Sequence, residues 1–290
     1  MKSQILNING GLPVPGRRKI HSLIWLMGGM LVAGLLSVGT VAQAATLNNY
    51  FNFVDIGTTN AITNGIGGSV TIADYFGTNA TVKSTVTTLN SSGLAIGAGT
   101  VAANTGVRLA VDATTNITGD FTFQIWFTSP ATLAGNTAVF GGTTAPSVNN
   151  DMTSYKGFWC GYNGTPNFIR PIVSNGTKFG ADMNGTTAGT GTTPNTLYDY
   201  VVTYVSATHT FTAYMNGTQV GTLTVTAFNG LSTLTNGIAV GGVQNPTFGD
   251  NAAAVTVSDF LIYSGTLSAP QVTSIHSLGV GASVSSIQTE

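Results

Sequence analysis

The chain has 290 residues, of which 42% are hydrophobic and only 7% are charged, against about 25% charged residues in typical globular proteins. Thr, Asn, Ser and 38 Gly take the place of the missing charges, and these residues favour strands and turns over helix interiors. The net charge is −1. No basic stripe follows the first 44 residues, so nucleic-acid binding is excluded as a function, because phosphate neutralisation requires clustered Lys and Arg.

The first 44 residues predict a signal peptide. Arg17-Arg18-Lys19 is a basic patch, Leu23 to Val41 is an uncharged apolar run, and Ala42-Gln43-Ala44 supplies a small-x-small cleavage pattern. The alternative is an uncleaved membrane anchor, because the run approaches the ~20 residues that span a bilayer. Four glycines in the run weaken such a helix, which favours cleavage.

Cleavage before Ala45 removes four of the nine basic residues and none of the ten acidic ones, which leaves a net charge of −5. We expect the mature protein to be secreted or held at the surface of a bacterial cell, without a stable membrane anchor. Its single cysteine, Cys160, allows no internal disulfide, and its apolar surroundings in the sequence predict a small buried side chain rather than a reactive thiol.

Residues 45–279 predict one β domain, and residues 280–290 predict a flexible C-terminal tail. Residues 69–74, 81–88 and 107–112 alternate like strands. Between them and further on, the Gly-rich segments 90–106 and 181–193 predict surface loops, because glycine and asparagine are typical of turns.

Residues 197–228 give the clearest structural signal. Three runs rich in Val, Thr, Tyr and Phe occupy 198–205, 210–215 and 218–228, a composition that suits strands. Asn216-Gly217 separates the last two runs, and this dipeptide favours a type I′ turn, in which both central residues take a positive φ. The segment therefore predicts an antiparallel meander.

One helix is predicted after Leu267. Ser268 can cap its start, Pro270 suits its first turn and Gly279 can end it. Val272, Ile275 and Leu278 fall on one face at helical spacing, which predicts packing against a sheet. The two histidines beyond the leader, His209 in the first meander turn and His276 on the outer face of this helix, are predicted to be solvated.

The meander YVVTYVSATHTFTAYMNGTQVGT resembles the signature of the concanavalin A-like, laminin G-like jelly-roll superfamily. Two flanking segments strengthen the resemblance: Asp120–Phe127, with an acid-Phe-Thr start before a Trp, and Gly237–Gly242 followed by 255–278. The similarity covers residues 105–279. It implies an antiparallel jelly-roll β-sandwich with one short C-terminal helix, which is an all-β fold.

The chain lacks the residues that the catalytic members of this superfamily use. The jelly-roll glucanases carry paired glutamates and an aspartate on one strand, whereas Glu290 is the sole glutamate here. No two aspartates stand at i and i+2, where a strand would direct both to one face. No serine-nucleophile or zinc pattern occurs either. We therefore predict no enzyme activity; an aspartate pair formed in space is the open alternative.

Polar and aromatic residues beside turns are the candidate ligand site. Sugar sites combine an aromatic platform with amide and carboxylate groups, so we predict ligand contacts at Asn150, Asp151, Tyr155, Trp159 and Tyr162. Core or hairpin packing is the alternative for each of these rings. Trp126 is assigned to the core, because it alternates with Phe127 in a predicted central strand.

Calcium is the one candidate cofactor. It binds carboxylate, amide and carbonyl oxygens of loops, and members of the resembling superfamily often hold such an ion beside the ligand. Asp250 and Asn251 are the candidate calcium ligands. The alternative is that these residues only form turns.

These features predict a secreted, non-catalytic binding module that recognises carbohydrate or a cell-surface or matrix partner. The alternative is a structural component of a surface layer, sheath or matrix, because a surface with few charges reduces repulsion between copies and permits self-association. A polysaccharide hydrolase or lyase is the third and weakest hypothesis.

Overall fold

The computed structural model describes much of the chain from Ala45 onward, and residues 42–290 form one compact unit. The described residues are 45–54, 61–64, 68–71, 73–74, 87–97, 107–108, 119–134, 137–143, 156–162, 169–175, 181–182, 191–226, 238–240, 251–288 and 290. The predicted signal peptide, residues 1–44, lies outside these ranges.

The described residues form short strands followed by two helices. The strands of the first half are β1 Thr46–Asn52, β2 Ala61–Asn64, β3 Gly68–Thr71, β4 Ala73–Asp74, β5 Thr87–Asn90, β6 Gly93–Ile96, β7 Val107–Arg108, β8 Phe121–Thr128 and β9 Thr137–Thr143. The second half contains β10 Lys156–Tyr162, β11 Ile169–Asn175, β12 Ala181–Asp182, β13 Leu197–Val205, β14 Thr210–Met215, β15 Thr218–Thr224, β16 Ile238–Val240, β17 Asn251–Ala252 and β18 Thr256–Ser264, then the helices α1 Ala269–Leu278 and α2 Val284–Gln288.

The strands pair into two sheets, and this confirms the predicted jelly-roll β-sandwich. Sheet A has the order β15-β14-β13-β8-β18-β1-β2-β3, with the β5–β6 hairpin attached to β18. Sheet B has the order β12-β11-β10-β9-β16-β7-β4, with β17 beside β9. Apart from the parallel β17–β9 pair, the strand pairs of the described residues are antiparallel.

Aromatic rings fill the space between the sheets. Phe140 of sheet B meets Phe123 and Phe260 of sheet A, with ring centroids 6.0 and 5.2 Å apart. Residues 121–127 of β8 are all buried, because its inner face lies in this core and its outer face lies beneath the C-terminal helices. The buried polar residues of its outer face, Thr122 and Gln124, form hydrogen bonds to Gly265 and Asp199, as buried polar groups require.

The meander predicted from residues 197–228 is present. β13, β14 and β15 follow one another antiparallel, and Asn216 and Gly217 have φ values of 51° and 74°, as a type I′ turn requires. The turn is tied to β13 from both sides. Asn216 N–H donates to the Asp199 carbonyl at 2.8 Å, and Asp199 N–H donates to Asn216 Oδ1 at 3.0 Å.

Helix α1 begins and ends where its sequence signals predict. Ser268 and Gln271 form a reciprocal capping box, and Gly279 follows the last helical residue. Val272 and Ile275 are buried in a second apolar cluster that also contains Val201, Leu261 and Tyr263 on the outer face of sheet A. The helix therefore covers the side of sheet A that faces away from the main core.

Three sequence expectations need correction. The tail 280–290 contains helix α2, and Ile287 is buried in the outer cluster of sheet A, because its apolar side chain has a sheet to pack against. The loop predicted at 90–106 contains β6, and the loop predicted at 181–193 contains the short strand β12. In β6 the φ of Gly93 is 120°, and an added Cβ would overlap the Val257 carbonyl oxygen. This glycine permits close strand approach rather than a loop.

Candidate functional site

Two aspartates flank a tryptophan on the outer face of sheet A. Asp199 of β13 and Asp259 of β18 both stand opposite Trp126 of β8 in the strand register. Trp126 is 7% exposed, Asp199 0% and Asp259 2%. The two aspartates thus share one face of sheet A, with β8 between their strands, beneath the C-terminal helices.

Asp199 is held by hydrogen bonds on both carboxylate oxygens. Gln124 Nε2 donates to Oδ1 at 2.9 Å, and His276 Nδ1 lies 3.1 Å from Oδ2. Tyr263 extends the network by donating its hydroxyl to Gln124 Oε1 at 3.4 Å. Burial raises the pKa of Asp199, while the hydrogen bonds from His276 and Gln124 oppose that rise. The cluster is therefore a satisfied buried network rather than a set of free acids.

His276 faces the sheet, so the prediction that it lies on the outer face of its helix is wrong. Its ring stacks on Trp126, with centroids 5.2 Å apart and planes 9° from parallel. An added Cβ on Gly217 would come 3.1 Å from its Cδ2. The hydrogen bond to Asp199 raises the pKa of His276. His276 thus fastens α1 to β8, β13 and the Asn216-Gly217 turn.

Asp259 binds the short connection between α1 and α2. Gly281 N–H donates to its Oδ2 at 2.7 Å, between α1 and α2. A small cavity of about 10 Å³ remains there, lined by residues that include Tyr50, Gln124 and Ile287, and this is close to the minimum volume that holds one water. The cavity beside Asp259 is therefore water-sized rather than sugar-sized.

Sheet B carries the other candidate surface, on its side away from the core. Cys160 and Tyr162 of β10 lie in the main core, and side chains alternate between faces along a strand. Trp159 is therefore placed on the opposite face. We call this face of sheet B, centred on Trp159, the Trp159 surface. No helix of the described residues covers it.

Glycines surround Trp159 on this surface. Gly157 and Gly161 are its neighbours two residues away on β10, and Gly141 of β9 stands directly opposite. Gly161 has a structural reason, since an added Cβ would overlap the Thr137 carbonyl oxygen at a β-bulge. Gly141 and Gly157 leave positions without side chains beside the tryptophan, and glycine within a strand often marks the close approach of a ligand or of another backbone.

Polar residues border these positions. On β11, Ser174 stands opposite Gly157, Ile172 opposite Trp159 and Arg170 opposite Gly161. Asp182 of β12 stands opposite Ile172. The strand register thus brings Trp159, Arg170, Ser174 and Asp182 to neighbouring positions of β10, β11 and β12.

The structure divides the predicted ligand residues. Asn150, Asp151 and Tyr155 lie outside the described residues. Trp159 stands opposite Gly141 and Ile172 in the register of β10, whereas Tyr162 is fully buried in the core, and burial raises the pKa of its hydroxyl. Thr192 donates a hydrogen bond to that hydroxyl at 3.2 Å. Tyr162 is therefore a core residue, as the packing alternative predicts, and does not belong to an exposed ligand site.

The calcium prediction rests on residues of which little is described. Asp250 lies outside the described residues, and Asn251 opens the short strand β17, where it pairs with Thr137. No group of three or more His, Cys, Asp or Glu side chains suitable for a metal ion occurs within the described ranges. Likewise, neither described helix is long and apolar enough to cross a membrane.

Solved structures with a similar fold include several from glycan-active proteins. Domain 4 of a GH43 extracellular arabinanase from Geobacillus stearothermophilus, in complex with arabinotriose, has a TM-score of 0.52 and 17% identity, over 80% of this chain and 98% of that domain. The CBM40 of Ruminococcus gnavus IT-sialidase, bound to α2,3 sialyllactose, has a TM-score of 0.49 and 15% identity, over 63% of this chain and 95% of that one.

A Trypanosoma rangeli sialidase mutant with trans-sialidase activity has a TM-score of 0.53 and 13% identity, but the match covers 84% of this chain and only 34% of the sialidase chain. No curated protein sequence matches significantly. A family model described as the concanavalin A-like lectin/glucanases superfamily matches residues 99–273, which is more than half of the chain. The chain therefore belongs to the concanavalin A-like lectin/glucanase superfamily, as its meander and flanking strands predict.

Proposed function

We propose that the protein is a non-catalytic carbohydrate-binding module that binds glycans on the Trp159 surface of sheet B. One observation carries the proposal. In the strand register Trp159 stands opposite Gly141, with Gly157 and Gly161 two residues away on β10, and its alternation with the buried Cys160 supports assigning it to the face away from the core. An aromatic face held on a strand, with adjacent positions free of side chains, suits stacking against the apolar face of a sugar.

The outer face of sheet A supports the proposal that the protein binds glycans without cleaving them. On sheet A the helices α1 and α2 cover the outer surface, and Asp199 and Asp259 are committed to His276, Gln124 and Gly281. Glycoside hydrolysis generally needs two carboxyl groups that flank the scissile bond. Buried carboxylates that bind the protein's own groups do not supply that arrangement. This supports binding without turnover.

The glycan class is proposed from the fold relatives. The similar arabinanase domain was solved with arabinotriose, so arabinan oligosaccharides are the first probes, followed by a broad glycan array. Binding should be measured by titration calorimetry on the purified protein without residues 1–44. A panel of polysaccharides should show no release of reducing ends, because the module binds without cleaving.

Tryptophan fluorescence gives a site-specific readout. Beyond the leader the chain has only Trp126 and Trp159, and Trp126 lies beneath helix α1. A glycan that binds the Trp159 surface should therefore change the emission of the wild type, and Trp159→Ala should abolish both this change and the heat of binding. Leu197→Ala, at an exposed residue of sheet A, is the control and should bind normally.

The outcomes separate the function from the site. If no glycan binds, the proposed function is wrong. If a glycan binds equally well to Trp159→Ala, the function stands but the Trp159 surface is not its site. Repeating the titration with EDTA and then with Ca²⁺ tests the proposed calcium ligands Asp250 and Asn251, whose joint change to Ala should remove any calcium dependence.

We also propose export to the outside of the cell, supported by the leader at residues 1–44. N-terminal sequencing of the protein recovered from the medium or the cell surface should begin at Ala45. A protein that retains Met1 and stays with the membrane fraction would favour the anchor alternative.

A further inference from the structure

A long part of the chain carries no Asp, Glu, Lys or Arg. Residues 200–249 contain none of these residues, and this segment includes the C-terminal part of β13, all of β14 and all of β15. Such a stretch of 50 residues is unusual, because about a quarter of residues in globular proteins are charged. The end of sheet A is therefore formed by strands without formal charge.

β15 is the last strand at this end of sheet A. Thr218, Gln219, Thr222 and Thr224 have exposed side chains. A β-bulge at Val220 interrupts the pairing with β14, whereas the register from Gly221 to Thr224 is regular. The regular half of β15 is therefore an uncharged strand edge that faces solvent.

Within the described ranges, the outward backbone groups of this edge have no strand to pair with. Val225 N–H donates to the His209 carbonyl at 2.8 Å, and in an antiparallel pair the residues alternate between bonding inward and facing outward. Leu223 and Gly221 therefore bond toward β14. Thr222 and Thr224 direct their N–H and C=O groups away from the sheet, where the described part of the chain offers them no strand.

Natural proteins protect such edges with Lys, Pro, inward charges, bulges or covering segments. Here the bulge at Val220 protects only the first half of β15. The second half, Gly221–Thr224, has neither a charge nor a proline. An edge of this kind is a template for another strand.

We propose that β15 pairs antiparallel with β15 of a second copy of the chain, so that sheet A continues across a two-fold axis. Centring the axis on Leu223 places Thr222 opposite Thr224 of the second copy and forms two reciprocal pairs of backbone hydrogen bonds. A second copy suits this edge because an uncharged strand meets its own copy without repulsion. Threonine pairs across strands are also favourable.

The test is Thr222→Pro, studied by sedimentation equilibrium on the compact unit 42–290 and on the full chain. Proline removes the outward N–H of residue 222 and is tolerated on a free strand edge. The wild type should show a concentration-dependent dimer, and Thr222→Pro should weaken it at least about tenfold. Thr222→Val keeps the N–H and is the matched control, so it should dimerise like the wild type. Far-UV circular dichroism should show that all three are folded.

Cysteine cross-linking tests the register independently of stability. Cys160 is buried, so introduced surface cysteines are the reactive ones. A mixture of Thr222→Cys and Thr224→Cys chains should form disulfide-linked dimers faster than either variant alone, because residues 222 and 224 face each other across the axis. A wild type that is monomeric up to about 1 mM, or a dimer unaffected by Thr222→Pro, would overturn the proposal.

Discussion

The two sheets differ in what the described residues show on their outer faces. On sheet A, apolar residues and two buried aspartates receive the C-terminal helices, and His276 stacks on Trp126 beneath them. On sheet B, Trp159 stands opposite Gly141 in the strand register, and neither described helix belongs to this side of the fold. The same residue type is thus a packing element on one sheet and a candidate ligand platform on the other. The comparison teaches that the role of a tryptophan depends on what covers its face.

The largest expected effect tests the covered tryptophan. Trp126→Ala removes a buried indole that contacts His276, and we expect the free energy of unfolding to fall by about 3–5 kcal/mol. Urea denaturation followed by circular dichroism measures this. Leu197→Ala, at a residue that is 44% exposed, should change stability by less than about 0.5 kcal/mol. Equal effects of the two changes would mean that the helices do not cover sheet A.

A smaller effect is expected at the turn beneath the helix. Gly217 has a φ of 74°, and its added Cβ would approach the His276 ring at 3.1 Å. Gly217→Ala should therefore lower the free energy of unfolding by about 1–2 kcal/mol through backbone strain, with a further loss if the ring must move. Gly119→Ala is the control in thermal unfolding, since an added Cβ there meets nothing within 4 Å. A Gly217→Ala protein as stable as the wild type would contradict both the positive φ and the contact with the His276 ring.

The pH dependence of stability tests the link between α1 and sheet A. The pKa of His276 is raised from 6.5 by its hydrogen bond to the Asp199 carboxylate. A group with a raised pKa in the folded state stabilises the fold fully below its unfolded pKa, and this contribution is lost as the pH rises through the folded pKa. The stability advantage of the wild type over His276→Gln should thus be greatest near pH 6 and shrink at alkaline pH. An advantage of the wild type that grows with pH would contradict the raised pKa of His276.

The smallest expected effect is an absence of reaction on β10. Cys160 is buried, and burial raises the pKa of its thiol well above its usual value. The folded protein should not react with a thiol reagent, whereas the protein in urea should react with one equivalent. The result also tests Trp159, because a shift of one residue in the strand register exchanges the two faces. If Cys160 reacts in the folded state, the two faces of β10 are exchanged, and Trp159 belongs to the core side.

The sequence predicted those parts of the fold that local chemistry determines. The Asn216-Gly217 turn and the Ser268 cap follow from the conformations that these residues prefer, and both occur where expected. Glycine is typical of loops, but it also permits close contact between strands. The sequence around Gly93 does not distinguish these two uses. That use depends on Val257, which is remote along the chain.

The site was less predictable for the same reason. His276 was expected to be solvated because its neighbours Val272 and Ile275 define the apolar face, and its partner Asp199 lies 77 residues away. No periodic pattern surrounds Ile287, so the sequence alone does not reveal its helix or its place in the outer cluster of sheet A. Trp159 and Tyr162 were both candidates, and their opposite faces became clear only once the pairing of β10 with β9 and β11 was known.

The position of β18 has a consequence for the synthesis of the protein. This strand is the last in the chain, yet it lies between β8 and β1 in the middle of sheet A. Residues up to Ser264 must therefore leave the ribosome before β18 can pair with β1 and β8. Until then, the facing edges of β1 and β8 lack this partner strand. Pairing between distant segments is intrinsically slow, so the middle of sheet A is completed only after almost the whole chain has been made.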